Sequence, residues 1–179
     1  MTVTGDGRDS RFSAIAETFM DYAWQTRHFD SNTYLDVAET VAETRRLIAG
    51  PGRQGPVVIA DFSDNPGSGA YGDSTFLLQG LIDAGFTNAA FGTICDSDAA
   101  AALIEAGEGA DVTVTLGGKI DPAYGPPLTL TGTVERITDG VYVALGPRWK
   151  GVTHRLGPTA VFRVGGISIV VASNRVQLT

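Results

Sequence analysis

One cysteine, two histidines and no long hydrophobic run are found among the 179 residues of this chain. Cys95 alone can form no disulfide within the chain and cannot build a cysteine metal cluster. His28 and His154 lie far apart, so the His-x-x-x-His spacing of a helical zinc site is missing. No apolar stretch approaches the roughly 20 residues of a membrane helix. The opening Met1-Thr2-Val3-Thr4-Gly5-Asp6 lacks the charged-then-apolar pattern of a signal peptide. Positive charge is scarce as well: 13 Lys and Arg face 20 Asp and Glu, for a net charge of −7. Such a balance gives a phosphate backbone no electrostatic footprint and argues against a nucleic-acid partner. The expectation is a cytoplasmic protein with neither a membrane nor a nucleic acid as partner. Internal repeats and low-complexity tracts are also absent.

What the chain does have is apolar content, 43% of its residues, enough for a sizeable core. Its length suits one domain, or one domain with an appendage. The stretch Asp61-Phe62-Ser63-Asp64-Asn65-Pro66-Gly67-Ser68-Gly69-Ala70-Tyr71-Gly72-Asp73 organises the rest. Val57 to Ala60 before it reads as a short strand. Ser74 to Ala84 after it places Phe76, Leu77, Leu78, Leu81 and Ile82 on one helical stripe. Asp73 occupies an N-cap position, with Gly72 freeing the backbone before it. A strand, a glycine-rich turn and a helix N-terminus together let backbone N–H groups face an anion.

Along the chain, Phe12, Ile15, Ala16, Phe19, Tyr22 and Ala23 follow helical spacing from Arg11 to about His28, with Asp9 or Ser10 as the cap. Asp30-Ser31-Asn32 makes a turn. A second helix runs from about Tyr34 to Ile48, and Gly50 to Pro56 stops it. Two amphipathic helices cannot bury their stripes alone, so this hairpin needs a surface to dock on. Its Phe12, Phe19, Trp24 and Leu35 make it the expected contact of a homo-oligomer. Residues 56–107 read as strand, loop, helix, strand (Ala89 to Cys95) and helix (Ala99 to Ala106), with Asp96-Ser97-Asp98 as a cap region. That alternation predicts parallel pairing of the two strands through a right-handed crossover. Beyond Gly107 the grammar becomes antiparallel, with strands at Asp111 to Leu116, Leu128 to Ile137, Val141 to Leu145 and Thr159 to Val164. Gly165-Gly166 turns into Ile167 to Val171. The predicted class is α/β: an N-terminal helical hairpin, a small strand-helix-strand-helix unit, and a mixed sheet extended by antiparallel strands.

Gly67 to Gly72 spells GxGxxG, and Asp96 follows at dinucleotide-fingerprint distance. Three observations oppose that reading. Phe62 to Pro66 separate the first glycine from the strand, the alternation stops after two units, and Asp61, Asp64 and Asp73 would repel a pyrophosphate. For Asp61 and Asp64 two readings stand, an oxygen-ligand or acid/base pair and local turn capping; for Asp73 capping is the better one. Lys119, in Gly117-Gly118-Lys119, reads either as a cation for a ligand carboxylate or as an exposed turn lysine. Cys95 reads as a small core residue. His154, in the basic stretch Arg148 to Arg155, reads as part of a solvated loop. The candidate site is therefore Asp61, Asp64, Asn65, Gly67, Gly69, Gly72, Asp73 and Lys119.

The run Asp64 to Asp73, followed by Thr75-Phe76-Leu77-Leu78, resembles the C-terminal domain of the MlrC family, the microcystin-degradation-type zinc metallopeptidases. The similarity continues through Leu116-Gly117-Gly118-Lys119, Gly125-Pro126-Pro127-Leu128, Leu156-Gly157-Pro158-Thr159-Ala160 and the stretch from Gly166 to Ser173. Ser68 and Tyr71 depart from the more usual glycine and proline. The resemblance implies an MlrC-like domain over residues 55–179 and a helical lead-in over 1–54. It also implies zinc in full-length relatives, bound by Asp and His residues of a large N-terminal domain. No residue here matches those ligands, so no cofactor is expected in this chain. The expected partner is that catalytic domain, missing here, or a separate chain carrying it. Whether the chain is itself an enzyme stays open. On this reading it is inactive alone, with the Asp64–Asp73 loop facing the partner's active site. The alternative is a stand-alone small-ligand or protein-interaction module without catalysis.

Overall fold

The computed structural model describes residues 2–5, 11–29, 34–52 and 54–177. The chain divides into two compact units, Met1–Leu35 and Asp36–Thr179. In the first, helix α1 spans Arg11–Gln25 and ends short of the expected His28, which lies in the following turn. None of its side chains is buried, and Ile15, Phe19, Tyr22 and Trp24 are exposed. Arg27 lies over the Trp24 ring at 4.2 Å. The expected caps Asp9 and Ser10, and the turn Asp30-Ser31-Asn32, lie outside the described residues.

In the second unit, helix α2 (Val37–Ala49) begins three residues after Tyr34 because Asp36 and Glu39 form a capping box. The Asp36 carboxylate accepts from Glu39 N–H at 2.8 Å, and the Glu39 carboxylate accepts from Asp36 N–H at 2.9 Å. The two helices expected to pair as a hairpin thus fall in separate units. Helix α2 packs on helix α3 (Phe76–Asp83), and Arg45 donates to the Ala84 carbonyl at 2.6 Å.

The main sheet holds β1 (Thr87–Cys95), β2 (Asp111–Leu116), β3 (Leu128–Thr138), β6 (Thr159–Val164) and β7 (Gly166–Ala172). Their order is β1-β7-β6-β3-β2. The β2–β3, β3–β6 and β6–β7 pairs run antiparallel, as expected. Gly165, at φ +56°, turns β6 into β7. Helix α4 (Ser97–Ala106) covers one face. The fully buried Phe162, Ile169, Val171, Val134, Leu116, Leu103, Leu78 and Ile94 form the core beneath it. Truncating a side chain such as Phe162 to alanine would cost about 3–5 kcal/mol.

Two expectations change. Val57 to Ala60 forms no strand, and β1 takes its parallel partner from the far end of the sequence, β7. The short segment has strand-like alternation: Val57 and Ile59 are half-buried while Val58 is 84% exposed. It lacks a ladder, however, and a cavity of about 650 Å³ separates Val57, Ile59 and Asp61 from Thr87 to Gly92 of β1. Apolar alternation suits any half-buried extended segment, whether or not a neighbouring strand binds it. The second change concerns the basic stretch. β4 (Val141–Val143, shorter than the Val141 to Leu145 expected) and β5 (Thr153–Arg155) form a separate two-stranded sheet. There the His154 ring stacks on Tyr142 at 5.1 Å and meets Trp149 edge-on at 6.4 Å, so His154 is half-buried in an aromatic stack. The result is a mixed α/β fold with one parallel strand pair.

Candidate functional site

The Asp61–Asp73 loop is shaped by its own short polar side chains. Asp61 accepts from the Ser63 N–H at 3.1 Å and the Ser63 hydroxyl at 2.6 Å, closing a local turn. Asn65 accepts from Gly67 N–H at 2.9 Å and caps a single 3-10 turn, Pro66–Ser68, which Gly69 ends in a left-handed conformation. Asp64 reaches further. One oxygen accepts from Gly72 N–H and the other from Ser74 N–H, both at 2.7 Å. The N–H groups that open towards an anion at this loop thus hold the chain's own carboxylate. Gly72 needs to be glycine on two counts: φ is +77°, and a β-carbon would sit 3.3 Å from Pro66 Cγ and 3.4 Å from Cys95 Cβ.

Asp73 does not cap α3. That position belongs to Thr75, whose side chain makes no capping bond. Asp73 is 2% exposed, and its Oδ2 instead accepts from Lys119 N–H at 2.9 Å and Ile120 N–H at 3.2 Å. Its carbonyl accepts from Gly118 N–H at 2.7 Å, while Asp96 Oδ2 accepts from Gly117 N–H at 3.0 Å. Four successive amides, 117 to 120, therefore converge on two aspartates. Successive left-handed glycines at 117 and 118 create the concavity. A pattern read locally sees only that Asp73 precedes a helix; its partners lie 46 and 47 residues onward. Lys119 is an exposed residue at this turn, but its ammonium is already paired. Its Nζ lies 2.8–2.9 Å from both oxygens of buried Asp96. Asp96 also caps α4 through Ala99 N–H, as the sequence suggested.

Above this base lies an open cleft of about 350 Å³. Phe62, Ser63, Asp64 and Asn65, then Ser68 to Tyr71, and Tyr124 line it. Tyr124 comes from a second 3-10 turn, Pro122–Tyr124, and its ring meets Tyr71 edge-to-face at 6.0 Å and 76°. Its carbonyl accepts from Thr75 N–H at 3.1 Å and from the Ser74 hydroxyl at 3.0 Å. Of the predicted residues, Asp64, Asn65 and Gly69 line the cleft. Gly67 is exposed against Gln177, and Asp61 faces the larger cavity beside β1. Gly72 and Asp73 are buried in the base, and Lys119 is tied to Asp96. Sequence reasoning passed over Phe62 and Tyr71 as cleft walls, although aromatics within a glycine loop are a usable signal. Tyr124 carried no local signal, because only the tertiary fold brings it to Tyr71.

The carboxylates here do not form a metal donor set, since Asp64, Asp73 and Asp96 all accept from N–H groups of the chain. His154 is stacked in the separate β4–β5 sheet. Among the described residues no three or more His, Cys, Asp or Glu side chains converge as ligands. These residues do not fit zinc. Burial pushes the Cys95 thiol above its ordinary pKa; Arg175 opposes that shift, and Asp73, Asp96 and Asp64 reinforce it.

A family model described as MlrC C-terminus matches residues 59–179. This chain belongs to the MlrC C-terminal family. Microcystinase C of Sphingomonas sp is 34% identical to it over 122 residues, which are 68% of this chain and 23% of that protein. The chain thus spans less than a quarter of that relative's length. The crystal structure of a candidate metallopeptidase from Mesorhizobium sp. BNC1 has the same fold. It matches with a TM-score of 0.74 at 20% identity, over 89% of this chain and 31% of that one. In this MlrC C-terminal domain, the glycine-rich loop and the Tyr124 turn both fall inside the matched residues.

Proposed function

We propose that this chain is the C-terminal portion of an MlrC-like metallohydrolase and that its cleft faces the active site of a catalytic domain carried elsewhere. Residues 55–179 form the MlrC C-terminal-like domain and 1–54 the helical lead-in. The observation that carries the reading is the division of labour in the loop. Every carboxylate at its base is engaged by backbone N–H groups, while Phe62, Ser68, Tyr71 and Tyr124 line an open surface. Such a surface binds and orients a peptide or amide group; its one carboxylate, Asp64, is occupied by Gly72 N–H and Ser74 N–H. The metal chemistry belongs to the partner domain, where zinc would act as a Lewis acid on the scissile carbonyl. This chain contributes a rigid wall that positions the substrate and excludes water.

The test is zinc-dependent peptide hydrolysis by this chain alone and by the chain joined to an MlrC-type catalytic domain. Turnover is expected only in the joined protein, and Tyr71→Ala should lower it while leaving folding intact. Turnover by the chain alone, or a Tyr71→Ala joined enzyme of unchanged specific activity, would refute the reading. The second reading, a binding module without chemistry, draws on the same aromatic lining. It predicts ligand binding by the chain alone and no gain in turnover on joining.

A further inference from the structure

The cleft lining comes from the glycine-rich loop and from Tyr124, distant in sequence, and two adjacent residues tie both of them down. The Ser74 N–H donates to Asp64 Oδ2 at 2.7 Å, fixing the glycine-loop wall. Its hydroxyl donates to the Tyr124 carbonyl at 3.0 Å, fixing the Tyr124 turn. Asp73 holds the approach to that turn through Lys119 N–H and Ile120 N–H, just before Asp121 caps it. Both residues are buried, at 2% and 4% exposure, and neither lines the cleft. We propose that Asp73 and Ser74 are positioning residues which hold Tyr124 in its edge-to-face contact with Tyr71, and with it the shape of the cleft lining. The proposal rests on the cleft being the substrate-facing surface, and it gives that surface its bracing element. A stretch whose sequence reads as a helix cap acts in the fold as a brace behind the two tyrosines.

Ser74 makes the cleaner test, because Ser74→Ala removes one hydroxyl bond and leaves the Asp64 contact, which uses the backbone N–H. Ser74→Thr retains a hydroxyl donor and serves as the rescue; Asp73→Asn keeps an acceptor oxygen and serves as a second variant. The intact chain, labelled with 3-fluorotyrosine, is observed by fluorine and proton NMR, with each tyrosine assigned by Tyr→Phe substitution. In Ser74→Ala the Tyr71 and Tyr124 resonances should move and their ring–ring cross-peak should be lost. The Tyr142 resonance, in the separate β4–β5 sheet, should stay in place, and Ser74→Thr should restore the wild-type pair. Unmoved Tyr71 and Tyr124 resonances in both Ser74→Ala and Asp73→Asn would overturn the proposal. So would a collapse of dispersion across all five tyrosines in both variants, which would make the pair a general folding element. The measurement needs no substrate and no catalytic domain. Failure of the hydrolysis experiment would therefore count against the proposed function and leave this positioning role standing.

Discussion

Replacing Asp73 by alanine distinguishes a helix cap from a long-range tie, because the two roles differ in size and in place. Loss of a cap costs about 1 kcal/mol and frays the first turn of α3. Loss of the observed contacts removes two charge-assisted hydrogen bonds, from Lys119 N–H and Ile120 N–H. Bonds to a charged group contribute about 1.5–3 kcal/mol each. Lys119 and Ile120 are both exposed residues, so the lower end of that range applies. The expected loss is about 3 kcal/mol. Urea unfolding followed by tryptophan fluorescence and circular dichroism gives this difference, and an unchanged slope with denaturant would show that the native state stays compact. Hydrogen exchange supplies the location: amides 118 to 120 should lose protection while α3 keeps its own. Asp73→Asn, which retains an acceptor oxygen, should fall between wild type and alanine. A loss near 1 kcal/mol with deprotection confined to residues 76–79 would refute the tie and restore the cap.

Further outcomes follow from the same geometry. Gly72→Ala should destabilise by about 1 kcal/mol or more, since φ is +77° and the new β-carbon meets Pro66 and Cys95; thermal denaturation reads this directly. Asp64→Ala should cost more stability than Asn65→Ala in the same assay, because it frees Gly72 N–H and Ser74 N–H together, whereas Asn65 holds only Gly67 N–H. The raised Cys95 thiol should be alkylated by iodoacetamide with a pH midpoint above that of an unstructured cysteine peptide. The sign of its stability contribution follows: a folded pKa above the unfolded one gives stability that is full below the unfolded value and is lost as pH rises through the folded one. Cys95→Ser should flatten the alkaline limb of the stability profile. Finally, if α1 mediates self-association, Phe19→Glu should lower the molar mass measured by light scattering, since Phe19 is exposed on that helix. A wild-type chain that is strictly monomeric at high concentration would count against it.

Much of this architecture was legible in the residues, for reasons that also mark where legibility stops. Strand β2 and the first half of β3 alternate threonine with apolar residues, and Gly165-Gly166 announces the β6–β7 hairpin, because side-chain period and turn chemistry are local. The choice of β7 as parallel partner for β1 is not local, so the alternation of Val57 to Ala60 pointed to the wrong neighbour. The same boundary runs through the site. Asp64 bonds within its own loop and was readable as a turn former, whereas Asp73 looked like a cap only because its partners at 119 and 120 lie beyond any sequence window. Tyr124 stayed invisible for the same reason.

The place of β7 between β1 and β6 also constrains how the domain is made. As the chain leaves the ribosome, β1 appears more than 70 residues ahead of the strand that must lie beside it. Until residues 166–172 emerge, the ladder edge of β1 has no partner and the sheet is divided into an orphan strand and a β2-β3-β6 meander. Vectorial synthesis therefore cannot complete this sheet stepwise. The closing event is the insertion of one late strand between two waiting edges, and the interval before it is when an unpaired edge is open to other chains. Ribosome-stalled nascent chains should show protease resistance appearing in a single step once β7 has cleared the exit tunnel.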